Sequence, residues 1–302
     1  MGTLGSLSKE REHMSEVVSR TDPSSSVSTT TAVVAGEGSE PAVRHRSDVR
    51  LEKVSVTFTR SGGDRVTAIS DVDLRVGAGE FLCVIGRSGE GKTTLLNVIA
   101  GLVGPTEGHV FVGEREIRGP GADRGVIFQA DCVYPWMRVA DNVGFGLRIK
   151  GVPRARRNEI VAEYLEMVGL AHVAQSWPRE LSGGMRSRVA VASVFANDPE
   201  VLLADEPFGA LDYVTRRRLQ NVMLGLWERT GKTVVFVTHD VEEALLLATR
   251  IIVVGGGHVL EDRAVALPRP RDEDVLASRE AVEIRRALLG HLGLEQPERS
   301  PH

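Results

Sequence analysis

From Val49 to Arg60 the chain reads VRLEKVSVTFTR, an alternation of apolar and polar residues that predicts a half-buried β-strand. A Ser-Gly-Gly-Asp turn and a second strand-like run, VTAISDVDLRV, make this an antiparallel entry. FLCVIG, from Phe81 to Gly86, breaks the alternation. A short continuous apolar run before a glycine loop and the helical pattern TTLLNVIAGL is how a fully buried parallel strand begins an α/β unit. GVIFQ, VLLAD, TVVFVTH and RIIVVGGG repeat the signal. Between GVIFQ and LSGG the pattern turns helical: NVGFGLRIKG, then RARRNEIVAEYLEMVGL with Ile160, Tyr164, Met167 and Val168 at helical spacing. An α/β core interrupted by an all-helical insertion, about residues 131–195, is therefore expected within a folded domain of residues 48–262. Residues 263–302 read as a linker, LPRPRDED, and a short amphipathic helix, EAVEIRRALLGHL. Residues 1–47 contain SSSVSTTT and few aliphatic residues, so they are expected to form a disordered extension.

Composition narrows this picture. A chain of 302 residues can bury a full core, and 37 Lys and Arg against 41 Asp and Glu give a net charge of −4, which disfavours tracking a nucleic-acid backbone. Two cysteines, Cys83 and Cys132, are too few for a disulfide scaffold, and Cys83 inside FLCVIG reads as a buried hydrophobe. No apolar run approaches the ~18 residues of a membrane span, and the N-terminus lacks a signal-peptide core. A chain working in the reducing cytosol is expected.

The chemistry lies at strand ends. GRSGEGKT (Gly86, Arg87, Ser88, Gly89, Glu90, Gly91, Lys92, Thr93), followed by Thr94, fits the phosphate-binding loop G-x-x-x-x-G-K-[ST] between an apolar strand and a helix. Glycines let backbone N–H groups surround a β-phosphate, Lys92 neutralises β/γ oxygens, and Thr93 offers a hydroxyl to Mg²⁺. Glu90 is unexpected beside polyphosphate and should turn to solvent. VLLADE delivers two acids at a carboxyl edge. Adjacent strand residues face opposite ways, so Asp205 is assigned to the metal and Glu206 to a water nucleophile. His239 ends TVVFVT on the same edge and can reach a γ-phosphate. Ser182, Gly183 and Gly184 open a further helix with unpaired N–H groups, a second anion device about ninety residues downstream of the first. Singly, these are a glycine turn, a loop of acids, a structural histidine and a helix cap. Their combination outweighs those readings.

In this order GRSGEGKT, Gln129 after a strand, LSGGM, VLLADE, GALD and His239 resemble the nucleotide-binding subunit of ABC transporters, over roughly residues 49–262. The resemblance implies a P-loop NTPase (RecA-like) α/β core with an antiparallel β subdomain and an inserted α-helical subdomain. It also implies a homodimer packed head to tail, in which Ser182, Gly183 and Gly184 grip the γ-phosphate of ATP held by the partner subunit's Lys92. By the same resemblance Phe58 stacks on adenine, Gln129 senses Mg²⁺ and the γ-phosphate, Glu206 and His239 are catalytic with it, and Asp212 of GALD lies at the dimer seam. GVIFQADCVYPWMRVADNVGFGL, LSGGMRSRV and LPRPRD look like the nitrate, sulfonate and taurine importer ATPases. That implies a peripheral subunit at the cytoplasmic face of the membrane, serving a permease and, through it, an extracytoplasmic substrate-binding protein. Tyr134, Trp136 and Met137, a few residues after Gln129, are the expected permease contact. Ser187, Ser193 and Glu90 depart from the family pattern. A soluble ABC ATPase uncoupled from transport, and a nucleotide-binding scaffold without turnover, are the competing readings.

Overall fold

The computed structural model describes residues 47–59, 63–129, 133–209 and 211–293, which lie in the unit Val43–His302. The expected disordered extension, residues 1–47, lies outside them apart from Ser47, whose carbonyl accepts the Thr233 hydroxyl at 2.7 Å. Cys132 also lies outside the described residues.

Alternation builds the first layer. Strand β1 (Val49–Thr59) buries Val49, Leu51, Val54 and Val56, and pairs antiparallel with β2 (Arg65–Val76). Continuous apolar runs build the second. In β3 (Phe81–Ile85) every residue is buried, so both faces need cover. Phe81, Cys83 and Ile85 enter one apolar cluster, while Leu82 and Val84 enter another with the β1–β2 layer. Helix α1 (Lys92–Ala100) follows the glycine loop and buries Leu95, Leu96, Val98 and Ile99 in that second cluster.

The next two strands are absent from the sequence expectation. β4 (Glu107–Val112) and β5 (Arg115–Glu116) complete a four-stranded sheet in the order β2-β1-β4-β5. β4 inserts only Val110 and Val112 into the core, too short an alternation to register. β6 (Arg124–Ile127) then returns to the central sheet.

The segment expected as the helical insertion, about residues 131–195, contains α2 (Val139–Val143), α3 (Phe145–Ile149), α4 (Arg154–Met167) and all but the last residue of α5 (Gly183–Ala196). In α4 the buried stripe is Val161 and Leu165, continued by Val168. Ile160, Tyr164 and Met167 are half-buried beside it, so the contact face is rotated by about one residue from the expected one.

β7 (Val201–Asp205), α6 (Tyr213–Thr230), β8 (Thr233–Val237), α7 (Val241–Leu247), β9 (Arg250–Gly255) and β10 (His258–Ala264) finish a six-stranded sheet, ordered β10-β9-β3-β8-β7-β6. All neighbours in it are parallel except β10, a charged edge strand whose mixed exposure hides it in the sequence. The carboxyl ends of β3, β6, β7 and β8 consequently share one edge. After β10 the chain buries Val265 and Leu267 in the main core, then forms α8 (Glu273–Leu276) and α9 (Arg279–His291), whose Ala281, Ile284 and Leu288 are buried.

Candidate nucleotide site

The loop after β3 is shaped by two close approaches. A Cβ at Gly86 would lie 2.3 Å from the Val254 carbonyl oxygen, and one at Gly91, at φ +100°, would lie 2.3 Å from that of Ala68. Only glycine fits either position. Arg87, Ser88 and Gly89 are exposed and Thr94 is half-buried. Lys92 is 5 % exposed and folds back, its ammonium donating to the carbonyls of Gly86 and Arg87 at 2.9 Å each. Desolvation pulls its pKa below the ordinary lysine value against the charges of Glu206, Asp205 and Glu90. A cation held within a loop of N–H groups at a helix start matches the charge of a polyphosphate.

Glu90 corrects the expectation. Its carboxylate accepts the Gly256 N–H, in the turn between β9 and β10, instead of facing solvent. The acid is thereby tied to the Gly256 turn as a tether, while its charge still acts on Lys92.

At the end of β7 the Asp205 carboxylate accepts the Thr93 hydroxyl at 3.3 Å. Desolvation, reinforced by the charge of Glu206, raises its pKa, with the Thr93 bond opposing. Glu206 leaves the strand at φ +44°, a left-handed conformation rare for glutamate, with its N–H on the Val237 carbonyl at 3.0 Å. That turn sends its side chain to His239, whose Nδ1 lies 2.9 Å from Oε2. Gln129 joins them: a Cβ built on Gly209 would be 3.8 Å from both Gln129 Nε2 and Glu206 Oε2. Lys92, Thr93, Asp205, Glu206, His239 and Gln129 are thus gathered on one sheet edge.

Ser182, Gly183 and Gly184 form a second group with Asp212. Ser182 caps α5, its hydroxyl accepting the Met185 N–H at 3.3 Å, and Ser187 donates to the Gly183 carbonyl at 3.2 Å. A Cβ on Gly184 would meet the Thr215 methyl at 2.3 Å, so the starts of α5 and α6 abut. Asp212 caps α6, accepting the Thr215 N–H at 3.0 Å, and that bond holds its carboxyl below the usual range. Ser182, Asp212, Tyr213 and Val214 are all exposed there. Phe58, near the end of β1, is 44 % exposed and paired across the strand with Val66, leaving ring surface for stacking.

A family model described as ABC transporter matches residues 69–209. The ABC transporter ATP-binding protein MJ0412 of Methanocaldococcus jannaschii is 47 % identical over 82 % of this chain and 93 % of its own. The chain belongs to the ABC transporter ATP-binding family. The taurine import ATP-binding protein of Roseobacter denitrificans is 48 % identical, covering 68 % of this chain and 76 % of its own. The nitrate import ATP-binding protein of Synechocystis is 43 % identical, covering 71 % and 80 %. Among solved structures, the dimeric ATP-binding cassette MJ0796 in a post-hydrolysis state with ADP and Pi is 34 % identical, with TM-score 0.64, covering 72 % of this chain and 98 % of that one. The P-loop α/β core, antiparallel subdomain and helical insertion expected from the sequence are those of this cassette. Cassettes of this kind form dimers, as that structure does.

Residues flanking the cassette's histidine escaped the sequence reading. Asp240 caps α7 through the N–H groups of Glu242 and Glu243, and pairs with Arg216 at 3.4 Å. Thr238 donates to Glu243 at 2.6 Å, and Gln220 donates to the same carboxylate at 2.9 Å. Asp-Val-Glu-Glu before an apolar run is a helix-start signature, so this part was available from the chain.

Proposed function

We propose that this ATPase powers uptake of a small anion, such as nitrate, an alkanesulfonate or taurine, through a membrane permease. The import names of the relatives and the LPRPRD stretch support the substrate class. A soluble cassette uncoupled from transport has no such support. In this reading the chain is peripheral at the cytoplasmic face, and the permease collects its substrate from an extracytoplasmic binding protein. No nucleic acid takes part. Among the described residues no helix is long and apolar enough to cross a membrane, so the permease supplies the passage.

The observation that carries the hydrolytic reading is Glu206 held 2.9 Å from His239 beside the Asp205–Thr93 pair. A desolvated carboxylate with a hydroxyl beside it is a set of hard oxygen donors, which suits Mg²⁺. Asp205, Thr93 and Gln129 would hold that ion, which offsets charge on the β- and γ-phosphates. Loop N–H groups from Gly86 to Thr94 bind the β-phosphate, and the Lys92 ammonium exchanges its carbonyl partners for β/γ oxygens. Glu206 takes a proton from the water as its oxygen bonds to the γ-phosphorus, while the bond to the bridging oxygen breaks and ADP leaves. His239 fixes the Glu206 carboxylate and presents its other nitrogen to the γ-phosphate. Phe58 stacks on the adenine. Two copies meet head to tail, each lending Ser182, Gly183 and Gly184 to the other's nucleotide, with Asp212 at the seam.

The permease contact in this reading is a cleft of about 230 Å³ that includes Phe128, Tyr134 and Phe145. Trp136, 68 % exposed, packs at a tilt against Tyr134, ring centroids 5.6 Å apart, and Tyr134 packs likewise against Phe145 at 4.8 Å. Asn142 fixes the loop through the carbonyls of Tyr134 and Met137. An aromatic rim one residue from Gln129 suits a short cytoplasmic helix. The test is uptake of the three anions in cells whose only copy carries Lys92→Ala. Loss of at least one is expected, and parental uptake of all three would contradict the proposal.

A further inference from the structure

His239 has little to hold it. Its side chain is 60 % exposed, and its polar partner is the Glu206 carboxylate, so its position depends on the backbone leading into α7. α7 has seven residues, too few for helical cooperativity to fix it. Val241, Ala244, Leu245, Leu246 and Leu247 bury it, but apolar packing is non-directional and leaves position along the helix axis to the polar ends. Asp240 caps the start.

The other end is held from the C-terminal segment. Arg271, 6 % exposed, donates to five carbonyls. Those of Leu245 and Ala248, at 2.6 Å each, and of Leu246, at 3.5 Å, belong to the last turn of α7 and the residue after it. Those of Val265 and Leu267 belong to the segment itself. Arg269 takes the remaining carbonyl, Leu247, at 2.6 Å, while its guanidinium stacks on Trp227 at 4.9 Å. Carbonyls at the negative end of a helix attract a cation, and here they oppose the burial and the neighbouring Arg269 charge that lower the Arg271 pKa to about 10. From α9, which packs on α7, Arg285 reaches back to Glu242 in the first turn at 2.8 Å. Half-exposed, that pair adds little alone and marks the opposite end of the bracket.

We propose that residues 265–292 are a positioning element for hydrolysis: Arg271, with Arg269 and Arg285, sets the axial position of α7 and so aims His239 at Glu206. Arg271 is a positioning residue that touches neither nucleotide nor metal. The proposal rests on the assignment of Glu206 and His239 made above.

The test uses the full chain as purified with its permease, comparing Arg271→Met, Arg271→Lys, His239→Ala, Glu206→Gln and the double variants of Arg271 with His239→Ala. Glu206→Gln and His239→Ala should each lower kcat by about 10²-fold. Arg271→Met should lower kcat by about tenfold, with KM for ATP moving by less than about twofold. Arg271→Lys keeps the charge and loses the planar fork, so its loss should be about threefold. Because the effect runs through the histidine, either change should add nothing in the His239→Ala background. If Arg271→Met does not fold, Arg271→Lys decides by the same comparison. Parental kcat in a folded Arg271 variant, or losses that multiply with His239→Ala, would overturn the positioning role. Parental kcat in both Glu206→Gln and His239→Ala would instead overturn the site assignment on which it rests.

Discussion

Asp205 and Glu206 are neighbours in the chain with different partners because the backbone separates them. Asp205 ends β7 in register with Val237 and meets Thr93, while a left-handed turn carries Glu206 to His239. Burial gives the first acid a stability cost. Its folded-state pKa is raised, so its contribution to stability is complete below the ordinary carboxylate value and is lost as pH rises through the folded one. At neutral pH the ionised group therefore weakens the fold. Asp205→Asn, measured by thermal unfolding without nucleotide or Mg²⁺, should raise Tm by about 2 °C at pH 7. The advantage should shrink toward pH 4 as the parent's carboxyl also becomes neutral. Hydrolysis should be lost in the same variant, since a neutral amide replaces the charge that suits the cation. An unchanged or lowered Tm at pH 7 would show that Asp205 carries no such cost.

Among elements, legibility followed distance along the chain. Each apolar run that leads to a candidate site residue was readable as a strand because the run and the residue are contiguous: FLCVIG leads to Lys92, VLLAD to Asp205, TVVFVT to His239. Glu90 was misread because its partner, Gly256, lies 166 residues downstream. Arg271 was passed over inside LPRPRD for the same reason, its targets being carbonyls of α7. β4 escaped because a strand contributing two core residues leaves almost no pattern, and β10 because HVLEDRA buries no residue and carries charges among its apolar positions. The loop between β6 and α2 was legible in composition only. Its aromatic residues could as well have packed inward, yet Trp136 stands exposed against Tyr134. Trp136→Ala should leave the isolated chain folded and binding ATP, while weakening co-purification with the permease or uncoupling hydrolysis from uptake. Loss of the fold, or unchanged transport, would return Trp136 to the role of a packing residue.

Across the molecule two candidate anion devices need one explanation. The first lies at the start of α1 with Lys92, and the second at the start of α5, where Ser182 and Asp212 share an exposed surface by the abutment of Gly184 and Thr215. In the proposed head-to-tail pairing the second device would take as its ligand the γ-phosphate bound by the other copy, and each nucleotide would bridge the two subunits. A mixed dimer tests this proposed composite site most directly. One subunit carries Lys92→Ala and the other Ser182→Arg, and the nucleotide retained per dimer is counted after trapping at saturating ATP. Both changes then fall in the same site, so the account predicts that one site is lost and the other retains its nucleotide. Loss of nucleotide from both sites would contradict it.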